Sequence, residues 1–390
     1  MKKKNLLKND AVQSLLASLG CIVFGLLVGY VVLLFIQPKG AGKAILTIIE
    51  NFFTYNRAET QMKYLGSTLV KTAPLLMCSL SILFAYKVGL FNIGAAGQYV
   101  VGSCASLYAA LAWGWSWLPC MLAAILGGAL LAGISGLLKS YCNVNEVISG
   151  IMLNWIVLYL TNMLLTLVKE DASPYTKVLA NTNASAVLPS LGLGALFNKN
   201  QYVGLAIPLA VVMAVIVWIV LDKTKFGYEL KATGLNKNAA KYCGMAEKRN
   251  IILSLMISGA LAGLGGLVFI LPTTTTYTAS VSGYGFLAMS VVVFGQWKPW
   301  GIALGALFFG LTKTIAASYS ACVSMFSASM MDRIYSRRSR LLSGADCRLY
   351  ADGALMAAAR EAACAGVNSA ASTPNVTSAA ACTPYAPCPK

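Results

Sequence analysis

Phe91-Asn-Ile-Gly94-Ala-Ala-Gly97-Gln98 lies between two apolar stretches, residues 67–86 and 98–115, and its reading decides the fold. In hydrocarbon every backbone N–H and C=O has to be satisfied within the protein, so non-helical chain persists only inside protein or beside water. Gly89, Gly94 and Gly97 permit tight backbone turns, and Asn92 and Gln98 each bring both donors and acceptors. A helix starting near Ala95 would aim its first N–H groups, with their partial positive charge, into the interior. Two readings stand: a break along a pathway or binding site, or an ordinary short cytoplasmic turn between two helices.

Composition fixes the class around that break. The chain has 390 residues, 58% of them hydrophobic and 11% charged, against about 25% charged in soluble domains. That makes it an integral membrane protein, all-α and polytopic. A formal net charge of +17 raises nucleic acid as a partner, but the basic residues sit mostly between apolar stretches. There an excess of Lys and Arg marks cytoplasmic loops and attracts anionic lipid, so the bilayer is the expected partner and no nucleic acid is. The absence of histidine weakens imidazole metal sites and Ser-His-Asp or Cys-His catalysis. The 11 cysteines are scattered without a C-x-x-C pair and read as small hydrophobes. Neither a catalytic residue nor a metal site is expected.

A span needs about 20 mostly apolar residues, and nine segments qualify, near 15–36, 67–86, 98–115, 118–138, 147–168, 202–221, 251–271, 284–297 and 300–318, the eighth being short. The first follows Lys2-Lys3-Lys4 and is too long for a signal-peptide core of roughly 7–15 residues. An uncleaved span with a cytoplasmic N-terminus is expected. Alternation from that start puts Lys87, Lys139, the 222–250 loop and Lys298 in the cytoplasm, in agreement with the charge bias.

The chain changes character near residue 320. Before it, lysines are accompanied by only Arg57 and Arg249; from 321 on there are six arginines and only Lys390. Hydropathy collapses into Ala, Ser, Cys and Pro at the same point, so the division is 1–320 as a transmembrane domain and 321–390 as an aberrant tail. The tail reads as frameshifted or joined from elsewhere, or as natural disordered sequence. Nine spans from an inside start would also leave Arg337, Arg338 and Arg340 outside, against the charge rule; a final span has been lost on this reading.

Two further constellations stand out. In Asn143-Val-Asn145-Glu146-Val-Ile-Ser149, followed by Asn154, Glu146 is the sole carboxylate between Gly66 and Val168. Ionisable residues in or bordering spans tend to mark function. Helix capping by Asn143 or Asn145, with Glu146 favoured in the first turn, is the competing role. The basic stretch from Thr224 to Met245 reads as two short helical turns broken at Gly234, with apolar anchors Phe226, Tyr228, Leu230, Leu235 and Tyr242. Apolar anchors within a charged rim suit docking of a cytoplasmic partner. Gly40-Ala-Gly42-Lys43-Ala lacks the glycine spacing and the hydroxyl of a phosphate-binding loop, so ATP chemistry belongs to another chain.

Several strings together resemble the permease subunits of bacterial ABC importers for nucleosides and simple sugars. They are Leu69-Val-Lys71-Thr-Ala-Pro74, Gly89-Leu-Phe-Asn-Ile-Gly94, Val144-Asn-Glu-Val-Ile148, Met152-Leu-Asn154, Phe226-Gly-Tyr-Glu-Leu-Lys231-Ala, Gly234-Leu-Asn-Lys-Asn-Ala-Ala240-Lys-Tyr-Cys-Gly244, Ser258-Gly-Ala-Leu-Ala-Gly-Leu-Gly-Gly266 and Gly283-Tyr-Gly-Phe286. Their order and spacing match the nucleoside branch served by basic-membrane-protein lipoproteins, over roughly residues 10–318.

The resemblance implies a ten-helix core, here with the last helix missing, paired with a second permease subunit. It further implies two cytoplasmic ATP-binding subunits that carry ATP and magnesium, and an extracellular substrate-binding lipoprotein. On it, Asn92, Gln98, Asn145, Glu146 and Asn154 fall along the substrate pathway. Glu229, Asn236, Ala239, Ala240 and Gly244 fall in the loop that engages the ATPase. Ala96 and Leu287 stand where the family usually has acidic residues, which fits one half of an asymmetric pair. The expected activity is inward movement of nucleosides across a bacterial cell membrane by alternating access, with no cofactor on this chain. A ribose-type sugar permease is the alternative within transport, and a membrane interaction protein the alternative outside it.

Overall fold

The computed structural model describes residues 58–168, 176–198, 200, 202–273, 277, 279 and 283–314, with isolated positions between 27 and 42. They belong to the first of two units, which ends at Ala316. The expected first span at 15–36 and the segment after 320 lie outside the described residues. Ten helices organise the remainder: α1 (Ala58–Tyr86), α2 (Ala95–Ala112), α3 (Trp117–Cys142), α4 (Glu146–Leu165), α5 (Ala206–Lys223), α6 (Lys225–Leu235), α7 (Lys237–Tyr242), α8 (Glu247–Thr273), α9 (Gly283–Phe294) and α10 (299–314). Short helical turns at Leu179–Thr182, Ala184–Ala186 and Leu193–Leu196 interrupt the long connection from α4 to α5.

Position in the bundle follows from which faces are apolar. α1 is buried on every side from Thr72 to Ala85, with Leu75, Met77, Leu80, Ile82 and Leu83 fully buried; a helix segment of that kind belongs at the centre. Pro74 sits inside α1 without ending it, as membrane helices allow when neighbours satisfy the freed backbone. α8 is the second central helix, against α1, α2 and α3. It approaches backbone to backbone, with Gly263 on Gly102 and Ala124, and Gly259 on Gly128. Small residues four apart are the usual means of such close packing in lipid, where water gives no hydrophobic drive.

α3 and α4 turn their other sides outward. Leu118, Leu122, Leu126, Leu130, Ile134 and Leu137 form one exposed stripe, and Ile148, Met152, Trp155, Tyr159 and Met163 another. Apolar bands that long suit lipid, not water. Among the described residues, five helices are long and apolar enough to cross a membrane: Met62–Tyr86, Trp117–Cys142, Glu146–Val168, Ala206–Lys223 and Glu247–Pro272. The first rises about 37 Å, more than the roughly 30 Å of hydrocarbon.

The loops sort to two ends. Lys87 donates to the Trp297 carbonyl at 3.3 Å, Gly234 touches Lys87, and Ser140 donates to the Lys248 carbonyl at 3.4 Å. The connections holding Lys87, Lys139, 222–250 and Lys298 therefore share one end. At the other, Asn200 donates to the Lys63 carbonyl at 3.3 Å, and Asn183 caps α2 through the Ala110 and Trp115 carbonyls, both at 2.9 Å. Tyr108, Trp113 and Trp115 cluster at this second end; Tyr86 with Trp297 and Trp218 with Trp300 mark the first. Aromatic residues at both ends are characteristic of the two membrane interfaces.

Some boundaries differ from the sequence reading. The segment read as 284–297 stops at Phe294, and Gln296 and Trp297 follow in the left-handed region (φ 53° and 56°). Its 12 residues rise only about 18 Å, so α9 does not cross alone. α2 begins at Ala95, where the break placed a helix start, and stops at Ala112, short of the 115 read from hydropathy; it is buried through most of its length, including Gln98, Ser103 and Ser106. The basic stretch does not break at Gly234: α6 continues to Leu235, and the break falls at Asn236, whose side chain caps α7.

Candidate functional site

The break between α1 and α2 turns back into the protein. Asn92 donates to Ser258 Oγ at 2.7 Å and lies 3.5 Å from Ser81 Oγ, and α1 rises about 7–8 Å between Ser81 and its end at Tyr86. α2 thus begins at depth, with Gly94 before its first residue, Ala95. Asn92 and Gln98 are 4% and 2% exposed, so the amides of this short connection face the protein interior.

Asn92 and Gln98 pair as two primary amides facing one another. Asn92 Nδ2 donates to Gln98 Oε1 at 2.8 Å, and Gln98 Nε2 donates back to Asn92 Oδ1 at 3.1 Å. Ser258 Oγ donates to the Ser81 carbonyl at 2.8 Å and lies 2.9 Å from Ser81 Oγ. One closed network therefore ties the break to α1, α2 and α8. Every member is uncharged. Buried polar groups in such a network are worth about 0.5–1.5 kcal/mol per bond, and more to lose one-sidedly.

Asn154 completes the site from α4. Its Oδ1 accepts the Gly97 N–H at 2.8 Å, and its Nδ2 donates to the Ile93 carbonyl at 3.1 Å. The first turn of a helix leaves its N–H groups without intrahelical partners; here a side chain two helices away supplies one. The approach requires glycine on both helices, because a Cβ on Gly150 would stand 2.9 Å from the Gly94 nitrogen.

Asn145 and Glu146 stand apart from this network. Asn145 caps α4 by accepting the Val147 N–H at 2.9 Å, and Glu146 pairs with Lys139 at 2.8 Å across the α3–α4 turn. Asn143 takes the left-handed conformation that ends α3 (φ 52°). Ser149 meets Ser135 at 3.1 Å, one turn further in. Of the five pathway residues read from the sequence, the structure gathers Asn92, Gln98 and Asn154 and leaves Asn145 and Glu146 at the end of the bundle.

The second candidate surface is the α6–α7 pair at that same end. Asn236 Oδ1 accepts the N–H groups of Asn238 and Ala239 at 3.0 and 3.1 Å. Gly244, at φ +77°, closes α7 while the Met245 N–H reaches the Ala240 carbonyl at 3.0 Å; this is the left-handed glycine ending common to helices. Ala240 is buried, Glu229 half-buried, and Ala239 and Gly244 exposed. The apolar anchors divide, with Leu230 fully buried, while Tyr228, Leu235 and Tyr242 face outward at 66%, 89% and 93% exposure.

Sequence reading missed Ser81 and Ser258 as network members, and Asn162, which holds Ala279 by both backbone groups at 2.9 and 3.0 Å. It also missed Gly234 as a point of backbone contact. Among the described residues no group of three or more His, Cys, Asp or Glu is placed to hold a metal.

The sequence profile of a family described as branched-chain amino acid transport system / permease component matches residues 64–332. The nucleoside ABC transporter permease protein NupB of Lactococcus lactis is 32% identical over 322 residues, covering 78% of this chain and 85% of that protein. The guanosine ABC transporter permease protein NupP of Bacillus subtilis is 34% identical over 256 residues, 64% of this chain and 72% of its own. The glucose ABC transporter permease protein TsgB13 of Haloferax volcanii is 31% identical over 266 residues, 65% and 70% respectively. No solved structure gives a significant match.

Proposed function

The chain belongs to the branched-chain amino acid transport system / permease component family, and from that premise we propose that it carries nucleosides inward across a bacterial cell membrane. It is a multi-pass membrane permease of an ABC importer and a transporter subunit, not an enzyme. Separate cytoplasmic ATPase subunits, holding ATP and magnesium, drive alternating access. A second permease subunit completes the core, and an extracellular lipoprotein delivers substrate.

The observation that carries the substrate class is the uncharged network of Asn92, Gln98, Ser81, Ser258 and Asn154 around the break. Amides and hydroxyls suit a neutral solute rich in hydrogen-bonding groups. The two nucleoside-type relatives described above favour a nucleoside over a sugar, and the glucose permease keeps a simple sugar as the second reading. In this reading the mutual pairing of Asn92 and Gln98 is the closed state, and their groups turn to substrate when the pathway opens. Asn145 and Glu146 form the cytoplasmic mouth of the pathway.

The end carrying Lys87, Lys139 and the 222–250 loop is the cytoplasmic end, by the charge rule. Tyr228, Leu235 and Tyr242, ringed by Lys237 and Lys241, are then the apolar contacts that seat the ATPase, with Glu229, Asn236, Ala239, Ala240 and Gly244 shaping that surface. Residues 1–320 are taken as the transmembrane permease domain and 321–390 as the tail, with the family match running 12 residues past that boundary.

Uptake of labelled adenosine into cells without their own nucleoside importers tests the substrate class, with the chain coexpressed beside its partner subunits. Accumulation competed by other nucleosides and not by ribose is expected. Accumulation abolished by ribose transfers the assignment to sugars.

A further inference from the structure

α8 carries Asn250, Ser254 and Ser258 four residues apart on one face, and all three are fully buried. Each bonds to a different level of the protein. Asn250 Nδ2 donates to Thr233 Oγ1 of α6 at 3.3 Å. Ser254 Oγ donates to the Phe84 carbonyl of α1 at 3.3 Å. Ser258 Oγ accepts from Asn92 Nδ2 at 2.7 Å. A polar seam therefore runs from the exposed α6–α7 surface to the lock that holds the break.

A second contact runs beside it through backbone alone. Gly234 follows Thr233 on α6, and a Cβ there would lie 2.5 Å from the Lys87 carbonyl oxygen. Gly89, at φ +75°, would place its own Cβ 3.2 Å from the Gly234 carbonyl oxygen. Lys87 and Gly89 lead directly into the break. A side chain on Gly234 would force α6 away from it, and one on Gly89 would crowd α6 and strain the left-handed backbone.

One atom marks this seam as unfinished. Asn250 Oδ1 is buried and has no hydrogen-bond partner. Structures rarely keep such an orphan unless it serves another purpose.

Building on the importer reading above, we propose that the Asn250–Ser254–Ser258 seam and the Gly89–Gly234 contact transmit movement of α6 to the Asn92–Gln98 lock, with Asn250 as the positioning residue that exchanges partners. Proximity alone does not establish coupling, which requires a perturbation at one end read out at the other. An apolar isostere supplies the distinction. Asn250→Leu fills similar space and removes the orphan acceptor, so a merely structural seam tolerates it.

The test is amide hydrogen exchange in the peptide 89–98, in the complete complex with its ATPase subunits, with and without a non-hydrolysable ATP analogue. The wild-type complex is expected to show a nucleotide-dependent change of about fivefold or more, the lower end of typical coupling between two sites. Asn250→Leu is expected to abolish that change while the ATPase remains bound. Should Asn250→Leu not assemble, Thr233→Val, which deletes only the hydroxyl, is read in the same way. Retention of the change in the variant, or its absence in the wild type, overturns the proposal. A chain that captures no ATPase overturns both this inference and the importer reading. A nucleotide response without nucleoside uptake overturns the substrate assignment alone.

Discussion

Asn154 both requires Gly97 and serves it: Asn154 Oδ1 accepts the Gly97 N–H at 2.8 Å and would lie 2.6 Å from a Cβ placed there. A side chain from α4 thereby does the work of a cap for a helix that begins inside the protein. The same closeness makes the pair sensitive to one methyl group.

Gly97→Ala is accordingly expected to destabilise the protein by about 1–3 kcal/mol through overpacking, with transport reduced at least in proportion. Asn154→Ala removes the 2.6 Å obstruction as well as the bond, so the double variant should lose less than the two single losses added. Thermal unfolding in detergent, run as a double-mutant cycle, measures this. Strict additivity would mean that the two residues do not meet.

Asn92→Ala should be the most damaging single change at the break. It strips partners from both groups of the Gln98 amide and from Ser258, and each buried polar group left open costs about 1–3 kcal/mol. Asn92→Leu with Gln98→Leu removes both amides together and should recover part of the stability without recovering transport. Full transport by that double variant would show that the amides are only packing.

The Lys139–Glu146 pair ties α3 to α4 where the two helices meet. Both side chains are partly exposed, at 16% and 15%, so screening limits the pair to about 1 kcal/mol. Glu146→Gln should therefore lower stability only slightly. Exchange of the two charges, Lys139→Glu with Glu146→Lys, should restore stability. If the exchange restores stability and transport still falls at least about tenfold, corresponding to 1.4 kcal/mol, Glu146 also meets the passing substrate.

Tyr242 and Leu235 protrude from α7 and the end of α6. Truncating a central aromatic contact typically costs 2 kcal/mol or more, about 30-fold in affinity. Tyr242→Ala should weaken capture of the ATPase by about that factor while leaving thermal stability unchanged. Equal capture by wild type and variant would move the docking surface elsewhere.

Much of this was legible in the sequence because membrane burial makes polar residues conspicuous. The start of α2 at Ala95 and the interior place of Asn92, Gln98 and Asn154 follow from glycine and amide residues standing where lipid would reject them. The capping role of Asn145 was visible in its spacing from the first apolar turn. Other features depend on partners distant in sequence. Gly234 looks like a helix breaker, yet α6 runs through it, and the missing side chain leaves room for the close approach of Lys87 and Gly89. α9 ends at Phe294, where Trp297 turns back to stack on Tyr86 at 3.5 Å between ring centroids. The Asn250–Ser254–Ser258 repeat was readable as a four-residue period, but its meaning required seeing Thr233, Phe84 and Asn92 beside it.

The deciding measurement is ATP-dependent uptake of labelled guanosine and adenosine into proteoliposomes holding the complete purified importer, with this chain as a permease subunit. Accumulation that requires ATP, survives excess ribose and falls at least about tenfold with Asn92→Ala, the factor that 1.4 kcal/mol represents, is the predicted result. Accumulation of ribose with no uptake of either nucleoside, or nucleoside uptake indifferent to Asn92→Ala, would contradict it.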